Sequence, residues 1–219
     1  MKLVIFGHGD AAELAHFYFS TDTQYEVVAL TVDSGFIDSD TRFGLPLVPF
    51  ESLYKSHPAD EFQLFIALGY SKLNQVRREK YEQAKSLGYR LPSYISSRAT
   101  VLNDQRVGDN CFILEDNVIQ PFVTIGNNVT LWSGNHIGHH STIQDHVFIA
   151  SHVVVSGHCS IGEQCFVGVN ATIRDNISIG DRCVIGAGSL ILSDVDPEGL
   201  YRGIETGRAD RSSLTQKRI

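Results

Sequence analysis

Six of the nine histidines fall in one short stretch: His136, His139, His140, His146, His152 and His158. Imidazoles titrate near neutral pH. A group of them can take a proton from an attacking nucleophile, ligate a divalent metal, or simply stand in solvent and stack on one another. All three readings are open for this cluster on residue type alone. A second stretch with chemical potential is Gly7-His8-Gly9-Asp10-Ala11-Ala12. Gly7, Gly9 and Ala12 have the G-x-G-x-x-A spacing of a strand-turn-helix loop, in which glycine lets the backbone approach a phosphate and the helix N-terminus attracts it. Asp33 follows about two dozen residues later, the spacing of a ribose-contacting acid.

The elements that must position these residues are legible in the hydrophobic pattern. From Val101 to Ile191 an aliphatic residue recurs at every sixth position. Gly often follows it (108, 126, 138, 162, 168, 180, 186), and the fourth residue after it is small or apolar at most repeats. A period of six is neither helical nor simply stranded; it marks a parallel β-helix, here the hexapeptide pattern of left-handed β-helices with three hexapeptides per coil. His140 and His158 are eighteen residues apart, one full coil, and are expected to stack in one column. The six histidines avoid the inward positions and are expected outward or at corners. Trp132 follows an inward aliphatic and is expected to face outward, toward subunit packing. Cys111, Cys159, Cys165 and Cys183 all occupy the small inward position and read as buried apolar groups, not as a disulfide or zinc set.

Ahead of the solenoid the pattern changes. Lys2–Phe6, Tyr25–Val32 and Gln63–Leu68 read as strands, and Leu45–Pro49 as a short extended piece. A helix is predicted from Asp10 to about Phe19, a short turn or helix from Phe50 to about Lys55, and a charged helix from Lys72 to Leu87 stopped by Gly88. Leu91–Ile95 reads as a fourth strand of this unit. The predicted organisation is an α/β N-terminal domain over 1–97 (a small parallel, Rossmann-like βαβ sheet), a left-handed parallel β-helix over 98–193, and a C-terminal extension over 194–219, polar and mobile toward its end.

A net charge of −7 without a basic run argues against nucleic acid as a partner. The apolar run Leu3–Phe6 is too short for a signal peptide or a membrane span, which predicts a cytoplasmic protein without membrane insertion.

Residues 101–191 resemble the hexapeptide-repeat acyltransferases. The order βαβ domain then β-helix resembles the bacterial enzymes that N-acetylate nucleotide-linked amino sugars, and the sialic-acid O-acetyltransferase-like group. His136-Ile-Gly-His139-His140 is similar to the H-I-x-H-D segment of the UDP-N-acetylglucosamine acyltransferases, whose second histidine is the general base. The resemblance puts that base on His139. His140 stands where an acid would orient it, which leaves the orienting role to another carboxylate such as Asp145, a backbone carbonyl or water; His136 completes the candidate set. The resemblance further implies acetyl-CoA as co-substrate along the solenoid, at Gly157, Gly168, Gly186 and Ala187, and a homotrimer with active sites between subunits. It implies that the N-terminal domain holds the nucleotide, through His8, Gly9, Asp10, Asp33, Ser34, Gly69 and Tyr70. The tract lacks the ligand set of the gamma-class carbonic anhydrases, which share the solenoid, so no metal is expected. The expected function is acetyl-CoA-dependent N-acetylation of a nucleotide-linked amino sugar in bacterial surface-glycan biosynthesis, by direct transfer. O-acetylation of sialic acid or a polysaccharide sugar is the alternative, ahead of a metal-dependent enzyme or a non-catalytic binding protein.

Overall fold

The computed structural model describes residues 1–104 and 106–205. The N-terminal unit is a five-stranded sheet of order β3-β4-β2-β1-β5, with β1 at Lys2–Phe6, β2 at Glu26–Val32, β3 at Thr41–Arg42, β4 at Leu45–Pro49 and β5 at Gln63–Ile66. β1, β2, β4 and β5 are parallel, and β3 adds an antiparallel edge. Helices α1 (Asp10–Asp22), α2 (Leu53–Ser56) and α3 (Gln75–Ser86) complete it. The third helix therefore starts later than the predicted Lys72. Lys72, Leu73 and Asn74 are left-handed, and the buried Asn74 donates to the carbonyls of Gln164 (3.4 Å) and Cys165 (3.1 Å), so this turn is pinned to the solenoid instead of extending the helix.

The solenoid has three faces of two-residue strands stacked in parallel with an eighteen-residue period. Face one runs from Tyr94–Ile95 to Leu200–Tyr201, face two from Thr100–Val101 to Leu190–Ile191, and face three from Thr124–Ile125 to Ser178–Ile179. The six-residue aliphatic series and the small inward residues form one core, in which Ile137, Ile149, Val155, Ile161 and all four cysteines are buried. Burial pushes the Cys111 and Cys165 thiols up to about 12, so neither offers a thiolate at neutral pH.

Each corner turns on one residue in the left-handed region, at every sixth position from Asp104 to Gly188. Asn, Asp, His and Gly dominate this position because they tolerate that backbone best. The glycine after the aliphatic has a different reason. A Cβ on Gly138 would lie 2.5 Å from the backbone carbon of Ser156 in the next coil, and one on Gly168 would lie 2.6 Å from the Ala187 amide nitrogen. These glycines let the coils stack.

Two domain limits differ from the prediction. Tyr94–Ile95 pairs with Phe112–Ile113, so the expected fourth strand of the N-terminal unit is the first rung of face one, and the solenoid begins before residue 98. Val195 bridges Ile179, and Leu200–Tyr201 pairs with Val184–Ile185, so the solenoid also absorbs the start of the predicted C-terminal extension. Residues 206–219 of that extension lie outside the described residues. No helix among the described residues is long and apolar enough to cross a membrane.

Face one is the docking surface for the N-terminal unit. Tyr94 and Phe112 share a core with Leu3, Ile5, Phe19 and Phe65, and Trp132 packs against it. Trp132 thus faces outward from the solenoid as expected, but toward its own N-terminal domain. Arg77 of α3, 1% exposed, staples the two units: it donates to Thr130 Oγ1 (2.5 Å) and to the carbonyls of His146 (3.2 Å) and Val147 (3.2 Å).

Candidate active site

The corner between faces two and three carries a group of three exposed imidazoles, His139, His140 and His158. The Nδ1 atoms of His139 and His140 are 3.1 Å apart. His140 stacks on His158 of the next coil, with centroids 4.7 Å apart and 12° between planes, and Phe122 covers its other side at 4.7 Å. Partial desolvation in this sandwich, with the charges of His158 and His139, holds the His140 pKa below the ordinary histidine value. His139 stands roughly perpendicular to both rings. Its backbone N–H donates to Gln120 Oε1 (2.8 Å), and its carbonyl accepts from the His158 N–H (2.9 Å). Its ring lies on Gly157: a Cβ there would be 2.7 Å from His139 Cε1. Nδ1 is therefore committed to His140, and Nε2 has no partner among the described residues. With Nδ1 as donor to His140, Nε2 carries the lone pair and can accept a proton from a bound nucleophile.

The other histidines separate from this group. His140, His146, His152 and His158 are six residues apart and are all left-handed corner residues. Their register shared with Asn110, Asp116 and Asn128 was a readable signal that corner geometry explains them; only His136 and His139 fall outside it. His136 lies on face two, paired with Val118 and Val154. His152 lies on the corner between faces one and two. His146 is not outward in effect, because α3 covers its corner. It is 5% exposed, its Nδ1 meets the Asn128 amide at 2.9 Å, and Tyr81 packs edge-on at 5.5 Å. Asp145, a candidate for orienting His139, sits on the same corner as His146 and accepts from the Asn127 N–H at 2.7 Å. Within one chain the group that meets His139 is His140.

Burial holds the His146 pKa down at about 4. Between pH 6.5 and 4 the unfolded chain binds a proton that the folded chain refuses. Stability from this site is therefore full above pH 6.5 and declines as pH falls toward 4, by about 3 kcal/mol in all. Urea unfolding at pH 7.5 and 4.5 should show a steeper acid loss for the wild type than for His146→Asn, which keeps a residue suited to the corner.

A second site lies between the two units. A cavity of about 490 Å³ is lined by the α1 N-terminus, the end of β5 and face one, and includes His8, Gly9, Asp10, Gly69, Tyr70 and Trp132. Gly7 is left-handed at φ +130, and a Cβ there would be 2.7 Å from the Ala67 carbonyl oxygen, so the loop requires glycine at that point. Gly9 precedes α1 with open space above it, and the helix has no side-chain cap. The Tyr70 ring reaches Phe148 (5.0 Å) and Phe166 (4.8 Å) on face one. Asp33 and Ser34 stand outside the cavity lining: Asp33 is ion-paired to Lys80 at 2.6 Å, and Ser34 is held by Glu51. The buried Arg77 and the partly buried Trp132 were not among the expected site residues; Arg77 Nε and Trp132 Nε1 have no hydrogen-bond partner among the described residues.

The four expected cofactor positions fall on two edges. Gly157 is beside His139, whereas Gly168, Gly186 and Ala187 lie on the corner between faces one and two. Gly168 is buried under Ala187, while Ala187 is exposed.

The chain thus combines a left-handed solenoid of hexapeptide repeats, a histidine edge and an attached α/β unit. Segments 106–138, 122–157 and 158–193 match the family model described as bacterial transferase hexapeptide (six repeats), which covers the solenoid. The fold is similar to that of the acetyltransferase domain of PglB from Neisseria gonorrhoeae, also solved with acetyl coenzyme A (TM-score 0.82, 23% identity, 92% of this chain and 96% of that chain). PerB from Caulobacter crescentus, solved with CoA and GDP-perosamine, gives 0.81 at 22% identity over 93% and 94% of the two chains. WeeI from Acinetobacter baumannii gives 0.76 at 20% identity over 91% and 96%. No curated protein matches by sequence search.

Proposed function

We propose that the protein is an acetyl-CoA-dependent N-acetyltransferase acting on a nucleotide-linked amino sugar, with His139 as general base. The observation that carries this reading is the exposed His139 imidazole, seated on Gly157 with Nδ1 held by His140 and Nε2 without a partner among the described residues. The acceptor amine attacks the thioester carbonyl while Nε2 takes its proton; the C–S bond then breaks and CoA leaves as thiolate, to be protonated in turn. Acetyl-CoA is already activated, so positioning does most of the work. Backbone N–H groups along the glycine-rich coils can hold the tetrahedral oxyanion. Support comes also from the likeness in fold to proteins solved with acetyl coenzyme A and with GDP-perosamine.

The inter-unit cavity is the nucleotide site in this reading. Its α1 N-terminus, uncapped by any side chain, is suited to phosphate, and its aromatic walls are suited to a base or sugar face. Within one chain the whole of face two separates the cavity from His139. In this reading the catalytic unit is a homotrimer, in which a neighbouring copy brings its histidine edge to the cavity and CoA runs between Gly157 of one copy and the Gly186–Ala187 edge of another. Exposed Leu190 and Val154 on face two, with Leu102 and Leu192 nearby, are surface that such an association would cover. Acetyl-CoA incubated with a panel of nucleotide-linked amino sugars should yield an N-acetylated product by mass spectrometry. Acetylation of sialic acid with none of the amino sugars modified would replace this reading with the O-acetyltransferase one.

A further inference from the structure

The same corner has a property the transfer reaction does not use. His139, His140 and His158 each offer a ring nitrogen, and these atoms lie within 4.8 Å of one another. We propose that the three imidazoles bind a divalent transition-metal ion, zinc foremost, and that the ion inhibits the enzyme by taking His139 Nδ1, which puts the ring proton on Nε2 and removes the lone pair His139 needs as a base. The ion is a ligand of the resting site and not a cofactor.

The geometry supports three ligands on one ion. Zinc holds imidazole nitrogens at about 2.0–2.1 Å, which puts two of them about 3.3 Å apart in a tetrahedron. The Nδ1 atoms of His139 and His140 stand at 3.1 Å. The widest separation in the group, up to 4.8 Å, exceeds the roughly 4.2 Å that two such bonds can span, so one ring must rotate inward. All three side chains are exposed, and rotation about a side-chain torsion needs no backbone movement. The backbone beneath them is regular: His140 and His158 occupy the same corner position on successive coils, and the His158 N–H bonds the His139 carbonyl. Gly157 leaves the space beside His139 clear of a side chain. Among the described residues no carboxylate joins the group. A three-imidazole set selects zinc, copper or nickel over magnesium and calcium, and leaves a fourth position for water.

The binding half of this inference stands on the residues alone; the inhibitory half rests on His139 being the base. The test uses tag-free protein. Zinc is titrated by calorimetry, and cobalt is followed by its visible absorption, on wild type and His158→Ala. The expected result is one ion per chain, with affinity in His158→Ala down by more than about tenfold, the smaller loss typical of removing only an outer-shell partner. Unchanged affinity in His158→Ala, or no stoichiometric binding to the wild type, would overturn the site. In parallel, acetylated product is measured by chromatography, because released CoA thiol would itself chelate zinc. Zinc should suppress turnover of the wild type at concentrations that leave His158→Ala active. Turnover unaffected by stoichiometrically bound zinc would overturn the inhibition while leaving the site. A chain with no transfer activity on any acceptor would count against the function, and the binding titration would still decide the site.

Discussion

His139→Ala is expected to lower kcat by roughly 10²–10⁴-fold, the range for removing a general base. kcat and kcat/KM should fall together, because the imidazole acts on the proton in the transition state and does not hold the ground state. The melting temperature should stay near that of the wild type. The side chain is exposed, and the backbone bonds of residue 139 to Gln120 and His158 survive the change. Gly157→Ala is the companion variant. Its new methyl would sit 2.7 Å from His139 Cε1, at the movable end of a side chain, so the ring swings off its shelf. Turnover should drop with little loss of stability. Near-wild-type turnover in His139→Ala would move the base to His136 or His140.

Arg77→Ala is expected to lower stability by about 3–5 kcal/mol, by opening a cavity and orphaning buried acceptors. The guanidinium is 1% exposed and faces no carboxylate among the described residues; burial holds its pKa down at about 10, and it remains charged at neutral pH. Its charge is met by oxygen dipoles: Thr130 Oγ1, Asn74 Oδ1 and the carbonyls of His146 and Val147. Phe148 lies under the guanidinium carbon at 5.6 Å from the ring centre. Removing the side chain therefore frees α3 from face one and loosens one wall of the cavity. Arg77→Lys should not rescue it, because one ammonium cannot reach acceptors spread over Thr130, the His146–Val147 corner and Asn74. Urea unfolding followed by Trp132 fluorescence measures the loss at the junction itself. A variant as stable as wild type would show that apolar packing alone docks the two units.

The solenoid was legible in the sequence because its determinants are local and repeat. In each hexapeptide an aliphatic and, at most repeats, a small residue are buried inward and a residue between them turns the corner, while glycine after the aliphatic, at seven repeats, gives coil clearance. The register also placed the four cysteines inside and stacked His140 on His158. It held a further signal that the histidine count obscured: His140, His146, His152 and His158 share the corner position with Asn and Asp, which sets His139 apart on geometry as well as on resemblance. The strand-loop-helix start of the N-terminal unit was legible for the same reason, since Gly7, Gly9 and Ala12 act within one turn.

What only the tertiary structure decided lies at junctions between distant segments. Tyr94 joined face one because Phe112 offered it a strand edge, not because its own pattern differed from that of an N-terminal strand. Asn74 left the helix for the carbonyls of Gln164 and Cys165, some ninety residues away in the chain. Trp132 and Arg77 became cavity walls only once face one met the N-terminal sheet, and His146 became buried only under α3. The amino-acid order by itself determined the repeat, the corners and the candidate base, because each depends on neighbours within a coil. Which residues surround the cavity, and which group meets His139, depended on surfaces that exist only after the coils have stacked.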